Sequence, residues 1–126
     1  TLEHRFSRHI FDLQFQPGTM ALAAVGNNNV ITLFRGPGWQ QQKYFYGHNY
    51  FINAVAFSAN GQRLISGGNG GSLRIWDVQL GNPLLVLPVP NSRSGIHLLL
   101  LEKQKKILSG YKNLYSWDYT TPDEPE

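Results

Sequence analysis

Apolar residues in this chain come in short runs of four to six positions, separated by residues that favour turns. Several runs alternate apolar with polar residues. In "SLRIW", Leu73 and Ile75 would face one side of a strand, and the three residues around them would face the other. No segment keeps the three- and four-residue spacing of an amphipathic helix. The pattern therefore predicts an all-β fold built from short strands.

The pattern repeats with a period of about 42 residues. Three pairs of landmark residues are 42 positions apart, and a fourth pair is 41 apart. The pairs are Phe15 and Phe57, Gly26 and Gly68, Phe34 and Trp76, and Trp76 and Trp117. Three such periods account for the length of 126 residues. A fixed spacing of this size indicates a repeat architecture.

Each period predicts three strands joined by two turns, and a weaker fourth strand follows in the first two periods. The predicted strands are residues 11–15, 20–25, 30–34 and 43–46, then 54–57, 63–66, 72–76 and 84–87, then 96–101, 106–109 and 114–117. Pro17-Gly18 and Asn60-Gly61 are turn dipeptides between first and second strands. The segment "LLLLEKQKK" has helix-forming residues, but its place in the repeat predicts strand, turn and strand.

The glycine-rich stretch "GGNGG", residues 67–71, has two interpretations. A phosphate-binding loop needs a helix after the glycines, whereas a strand is predicted here. Leu73 also stands where the last glycine of G-x-G-x-x-G would be. Asparagine and glycine tolerate the left-handed backbone of a tight hairpin. We therefore predict a β-hairpin turn.

The second period carries a more specific signature. Gly47-His48 opens it, "AVAFSANGQRLISGG" follows, and Trp76-Asp77 closes it, with the tryptophan 28 positions after the histidine. The third period keeps Trp117-Asp118, whereas the first has Phe34-Arg35 at that place. These features resemble the WD-repeat (Trp-Asp repeat) β-propeller family, strongly in one period and more weakly in the other two.

The resemblance implies all-β propeller blades: three four-stranded antiparallel sheets in an incomplete ring, the last blade lacking its outer strand. The blades would span approximately residues 8–46, 50–88 and 92–119. Residues 1–7 are a candidate outer strand, and residues 120–126 are expected to be a disordered tail.

In this family a histidine, a serine or threonine, a turn aspartate and the tryptophan form a buried hydrogen-bond network. The resemblance assigns His48, Ser66 and Trp76 to three of these places, and Gly70 stands where the aspartate would be. A buried hydroxyl and a buried indole N–H each need a partner, and a neutral imidazole can both donate and accept. The predicted role of the trio is structural rather than catalytic or metal-binding.

Composition narrows the function classes. The chain has no cysteine, which removes disulfides, thiolate nucleophiles and cysteine-based metal sites and favours a reducing compartment. No apolar run is long enough for a membrane helix, and no secretory signal is visible. We therefore expect a cytoplasmic protein, or a nuclear one if the source is eukaryotic. The four histidines lack metal-ligand spacing, so we predict no metal, no cofactor and no enzyme activity.

Charge adds little to the picture. The formal net charge is +3, and the one close basic group is Lys103, Lys105 and Lys106. Nucleic-acid-binding proteins usually show a stripe of basic residues, whereas the other arginines here are scattered. We interpret the lysine group as a solvated turn and predict neither a nucleic-acid nor a membrane partner.

The predicted function is a protein–protein interaction scaffold. In the family, partners usually dock on the loops before the first strand and between the second and third. Here that face would gather Arg8, His9, Asn49, Tyr50, Phe51, Arg93, Tyr111 and Lys112. Aromatic and arginine side chains are typical of binding hot spots, although Phe51 could equally begin a strand and belong to the core. The alternative function is a regulatory propeller segment of a larger multidomain enzyme or signalling protein.

Three blades are too few to close a propeller ring, because such rings usually have four to eight blades. The two end blades would expose broad apolar faces, which soluble monomers seldom tolerate. Three solutions stay open: further blades elsewhere in a longer chain, which we favour, self-association, or completion of a partner's ring.

Overall fold

The computed structural model describes residues 9–68, 72–89, 97–101, 105–110 and 114–118. Within these ranges the chain forms eleven strands and no helix. The strands are β1 (Ile10–Phe15), β2 (Ala21–Gly26), β3 (Val30–Arg35), β4 (Gln40–Tyr46), β5 (Ile52–Phe57), β6 (Arg63–Gly68), β7 (Ser72–Asp77), β8 (Pro83–Pro88), β9 (His97–Leu101), β10 (Lys106–Gly110) and β11 (Leu114–Asp118).

The strands form three separate antiparallel sheets, in each of which every strand pairs with the next along the chain. Sheet 1 is β1 to β4, sheet 2 is β5 to β8, and sheet 3, among the described residues, is β9 to β11. The predicted all-β fold of separate blade-like sheets is therefore confirmed, including two strands within "LLLLEKQKK". The candidate outer strand at residues 1–7 and the tail at residues 120–126 lie outside the described residues.

The first strands of the sheets, β1, β5 and β9, lie side by side, with β5 in contact with both others. One apolar core lies between sheets 1 and 2, and a second lies between sheets 2 and 3. Leu64 and Trp76 of sheet 2 belong to the core shared with sheet 1, whereas Ile65 and Ile75 belong to the core shared with sheet 3. Adjacent residues thus enter opposite cores, as the two-residue period of a strand requires. Both faces of sheet 2 are covered by its neighbours.

A β-bulge at the start of β1 and another at the start of β5 explain the spacing of two landmark glycines. The register of β1 on β2 shifts at Phe11, and that of β5 on β6 shifts at Asn53. A Cβ atom on Gly26 would lie 1.8 Å from the carbonyl oxygen of His9, and one on Gly68 would lie 2.2 Å from that of Phe51. Only glycine allows this approach of two backbones, so a glycine stands beside the bulge in sheet 1 and in sheet 2.

Hydrogen bonds also tie sheet 1 to sheet 2. At the inner edge, Asp12 Oδ2 accepts the backbone N–H of Val55 at 3.1 Å. At one end, Gln16 Nε2 donates to the carbonyl oxygen of Gly61 at 2.8 Å. At the outer edge, the Lys43 ammonium donates to the carbonyl oxygens of residues 78 and 79. The two sheets are therefore fastened at three separated points in addition to their apolar core.

We expect Gly68→Ala to destabilise the fold by at least about 2 kcal/mol, because the new methyl group would meet backbone atoms that cannot move aside independently. Chemical denaturation followed by circular dichroism measures the change. Gly38→Ala is the matched control, because the atom nearest to a Cβ at that position is a side-chain atom 3.9 Å away. We expect this variant to change the stability by no more than about 0.5 kcal/mol. Equal stability of both variants would contradict the role given to the close approach.

Candidate functional site

The predicted trio of His48, Ser66 and Trp76 forms one buried chain of side chains. The indole N–H of Trp76 donates to Ser66 Oγ at 2.8 Å, and His48 Nε2 lies 2.6 Å from the same oxygen. All three residues are buried. The loop before β5 supplies the histidine, β6 the serine and β7 the tryptophan, so the contact joins the loop to the middle of sheet 2.

Apolar packing encloses this trio. The ring of Phe45, from sheet 1, meets the Trp76 ring edge to face at 5.7 Å between centroids, and the His48 ring lies 6.2 Å from the Trp76 ring. Burial of the His48 imidazole, and secondarily the nearby positive charge of Arg74, lowers the pKa of His48 from 6.5 to about 4. The imidazole is therefore neutral near pH 7 and part of the core.

Sheet 3 has the same serine–tryptophan hydrogen bond, whereas sheet 1 has apolar residues at both positions. The indole N–H of Trp117 donates to the buried Ser109 Oγ at 2.8 Å, as Trp76 does to Ser66. In sheet 1 the corresponding positions, 42 residues before Ser66 and Trp76, hold Ala24 and Phe34, which are both buried. Donor and acceptor have been exchanged together for apolar groups, which avoids an unpaired polar atom.

A second pair shows the same pattern at the other end of the sheets. Arg63 and Asp77 are register partners, with Nη1 3.7 Å from Oδ2, and Lys106 and Asp118 are equivalent partners with their charged atoms 2.5 Å apart. In sheet 1 the register pair is Ala21 and Arg35. This sheet thus has a cation where the other two have a carboxylate, and no charged residue across from it.

Aromatic side chains are exposed at the end of the sheets where β1 and β5 begin. Tyr50 is 61% exposed, Phe51 45% and Phe11 48%. The rings of Phe11 and Phe51 meet edge to face with centroids 6.5 Å apart. Phe51 lies one residue before β5 and points away from the core. We call Phe11, Tyr50 and Phe51 the aromatic end.

Polar residues flank the aromatic end. The backbone N–H of His9 donates to Asn27 Oδ1 at 2.7 Å, and the backbone N–H of Asn27 donates to the His9 carbonyl oxygen at 3.1 Å. Asn49 is exposed in the loop before β5. The structure thus brings His9 to the turn between β2 and β3. The other residues predicted for this face lie outside the described residues: Arg8, Arg93, Tyr111 and Lys112.

Phe11 is the member of the aromatic end that sequence reasoning missed, because the sequence placed it only as the first residue of a predicted strand. It is the extra residue of the β-bulge, and bulges re-aim side chains. A signal was present in the repeat, since the equivalent residue 42 positions later is the polar Asn53. A position that holds asparagine in one repeat is a poor place for a core phenylalanine in another.

Neither a metal-ligand cluster nor a membrane-spanning helix occurs in the described part of the chain. Its histidine, aspartate and glutamate side chains form no group of three that could hold a metal ion. The residues that the structure describes form no helix long and apolar enough to cross a membrane.

Comparison with known proteins agrees with this geometry. Residues 39–77 match the family model for the "WD domain, G-beta repeat". Over 83 residues the chain is 31% identical to a guanine nucleotide-binding protein subunit beta of Solanum tuberosum, which covers 61% of the chain and 22% of the relative. Over 90 residues it is 27% identical to WD repeat-containing protein 1 of Gallus gallus, which covers 71% of the chain and 14% of the relative. The matches support the resemblance to the WD-repeat family, with residues 39–77 as the matched repeat.

The chain spans only about a fifth of the length of the beta subunits that it matches. Its matched WD repeat begins at Trp39 and ends at Asp77, so it runs from the turn before β4 to the end of β7. One sequence repeat therefore supplies the outer strand of sheet 1 and the first three strands of sheet 2. Because the repeat contributes strands to two blades, it links these blades covalently.

We expect Ser66→Ala to destabilise the protein by about 3 kcal/mol, because it leaves the Trp76 N–H and a ring nitrogen of His48 buried without partners. Chemical denaturation of the purified variant measures the change. The matched control is Ser109→Ala, which frees only the half-buried Trp117 indole and should cost about 1 kcal/mol. Equal losses in the two variants would show that the histidine adds nothing to the network.

Stability should also depend on pH through His48. Its pKa is about 4 in the folded chain against 6.5 for the ordinary value, so the unfolded state binds a proton more readily between these values. Stability contributed by the neutral ring is complete above about pH 6.5 and falls by about 3 kcal/mol as the pH falls to 4. Denaturation measured between pH 4 and 6.5 should show a free energy of unfolding that depends less on pH in His48→Gln than in the unmodified chain. His9 is exposed, so His9→Gln serves as the control and should keep the pH dependence of stability of the unmodified chain.

Proposed function

We propose that this chain is a non-catalytic protein–protein interaction module that docks its partner on the aromatic end. The observation that carries the proposal is the edge-to-face contact of two half-exposed rings, Phe11 and Phe51, with Tyr50 beside them. Aromatic side chains bring large contact area at low cost in side-chain entropy and are enriched at binding hot spots. The match of residues 39–77 to the WD-repeat family model supports the same class of function.

Contacts with neighbouring strands anchor the backbone that carries the aromatic end, which favours binding. Phe11 sits on the bulge of β1, and the carbonyl oxygen of Phe51 is packed against Gly68. The backbone N–H of Val55, a few residues further along β5, is bonded to the Asp12 carboxylate next to Phe11. The backbone that carries two of the aromatic side chains is thus anchored before a partner arrives, so less conformational entropy is lost on association.

The surroundings have the composition of an interface rim. His9, Asn27 and Asn49 are polar and at least partly exposed around the rings. An apolar centre with a polar edge is the usual anatomy of a non-obligate interface. We propose that Arg8, Arg93, Tyr111 and Lys112 extend this rim.

A second candidate function is a segment of a larger signalling or multidomain protein, located in the cytoplasm or nucleus. Similarity to beta subunits of guanine nucleotide-binding proteins, of which the chain spans 22%, supports it. So do Ile10, Leu13 and Phe15 on β1, which are each about half exposed or more. In this proposal, further blades of a larger ring cover these side chains. Self-association is the other means of covering them.

We expect Tyr50→Ala and Phe11→Ala each to weaken partner binding by about tenfold or more, because each removes an exposed ring from the aromatic end. Quantitative pull-down with the immobilised chain, followed by titration of the captured protein, measures the loss. Leu80→Ala is the matched control, since that residue is 74% exposed at the opposite end of the sheets. Unchanged denaturation midpoints establish that the variants fold. If both aromatic variants bind like the unmodified chain, the assignment of the docking face is wrong.

A further inference from the structure

A cleft of about 460 Å³ lies between sheets 1 and 2, at the end opposite the aromatic end. Its walls come from the turns after β1, β5 and β7 and from the ends of β3 and β4. Hydrogen bonds between the sheets define its shape: Gln16 Nε2 reaches the Gly61 carbonyl oxygen, and Lys43 reaches the carbonyl oxygens of Val78 and Gln79. The cleft is therefore a built feature of the junction between the blades.

Positive charge is in excess in this cleft. Four charged side chains line it: Arg35, Lys43, Arg63 and Asp77. Asp77 is paired with the buried Arg63, and its other oxygen, Oδ1, accepts the backbone N–H of Leu80 at 3.0 Å. Asp77 is the one carboxylate among the described residues of the lining. The charges of Arg35 and Lys43 are therefore not balanced there.

Arg35 is the less expected of the two cations. It occupies the position that holds Asp77 in sheet 2 and Asp118 in sheet 3, and Ala21 faces it where those sheets have a cation. Its Nε donates to Gln42 Oε1 at 3.1 Å, which orients the guanidinium group. Within the described residues this is the one hydrogen bond or ion pair that the Arg35 side chain makes. The side chain is exposed and leaves four N–H donors for another molecule.

Lys43 is fixed but not neutralised. Its ammonium group donates to two backbone carbonyl oxygens, those of Val78 and Gln79, and keeps a third N–H. Carbonyl oxygens carry no net charge, so the full positive charge persists at a defined place on the cleft wall. The exposed side chains of Gln62 and Gln79 line the same cleft and add amide donors.

We propose that this cleft binds a phosphoryl group. Two unbalanced positive charges match a dianion, and the guanidinium fork of Arg35 can bind two of its oxygens at once. Lys43 then supplies a point charge and the glutamine amides supply further donors. The cleft has room for more than a phosphate ion, so the phosphoryl group can be carried by a small phosphorylated compound or by a phosphorylated side chain of a protein.

Titration with inorganic phosphate at constant ionic strength, followed by calorimetry or amide NMR shifts, tests the site. We expect saturable binding to the unmodified chain and a loss of about tenfold or more in Arg35→Gln. Arg35→Lys, which keeps the charge but not the fork, should lie between them. Lys106→Gln removes the same charge on sheet 3 and should bind like the unmodified chain. Absence of saturable binding, or equal weakening by Lys106→Gln, would overturn the proposal.

Two further ligands separate the sources of the phosphoryl group. If a small molecule carries it, phosphoserine should bind as tightly as a phosphoserine-containing peptide. If a protein side chain carries it, the phosphopeptide should bind more tightly. The same peptide with unmodified serine should bind neither the unmodified chain nor Arg35→Gln, and equal affinity for both forms of the peptide would overturn the assignment. Denaturation midpoints confirm that each variant is folded.

Discussion

Leu64 and Ile65 are neighbours in the chain, yet each is buried in a different core. A strand with this property belongs to a sheet that is apolar on both faces, and such a sheet is stable only when another sheet covers each face. Mutual cover of the blades is therefore the constraint from which the other features follow. A register slip of one residue would exchange the two cores, and the bulges opposite Gly26 and Gly68 oppose such a slip.

Within that constraint, polar groups inside the blades behave as matched sets. Sheet 2 combines a hydroxyl–indole bond with a cation–carboxylate pair, and sheet 3 has both. Sheet 1 has neither, because Ala24 and Phe34 replace the first pair and Ala21 and Arg35 stand in place of the second. Removing both members of a buried pair costs little, whereas removing one is expensive. In sheet 1 the apolar pair Ala24 and Phe34 is buried, and Arg35 has no carboxylate opposite it in the register.

Much of the fold could be predicted from the sequence because strands, turns and the repeat each leave a local pattern. The segment "LLLLEKQKK" shows this, since its place in the repeat correctly outweighed its helical composition. Phe11 could not be placed from its own strand, because a bulge changes which side a residue faces without changing residue type. The cleft could not be predicted either. Lys43 and Val78 are 35 positions apart and meet only because one repeat supplies strands to two blades.

The aromatic end and the cleft lie at opposite ends of the same strands, which has an electrostatic consequence. A strand of six residues spans about 20 Å, and the Debye length at physiological ionic strength is about 8 Å. The charges of Arg35 and Lys43 are therefore screened from Phe11 and Phe51. A partner at the aromatic end must bind through contact area and shape, whereas an anion in the cleft is attracted by charge. Because the length of a strand separates the two surfaces, they can be occupied at the same time, each by a ligand of different chemistry.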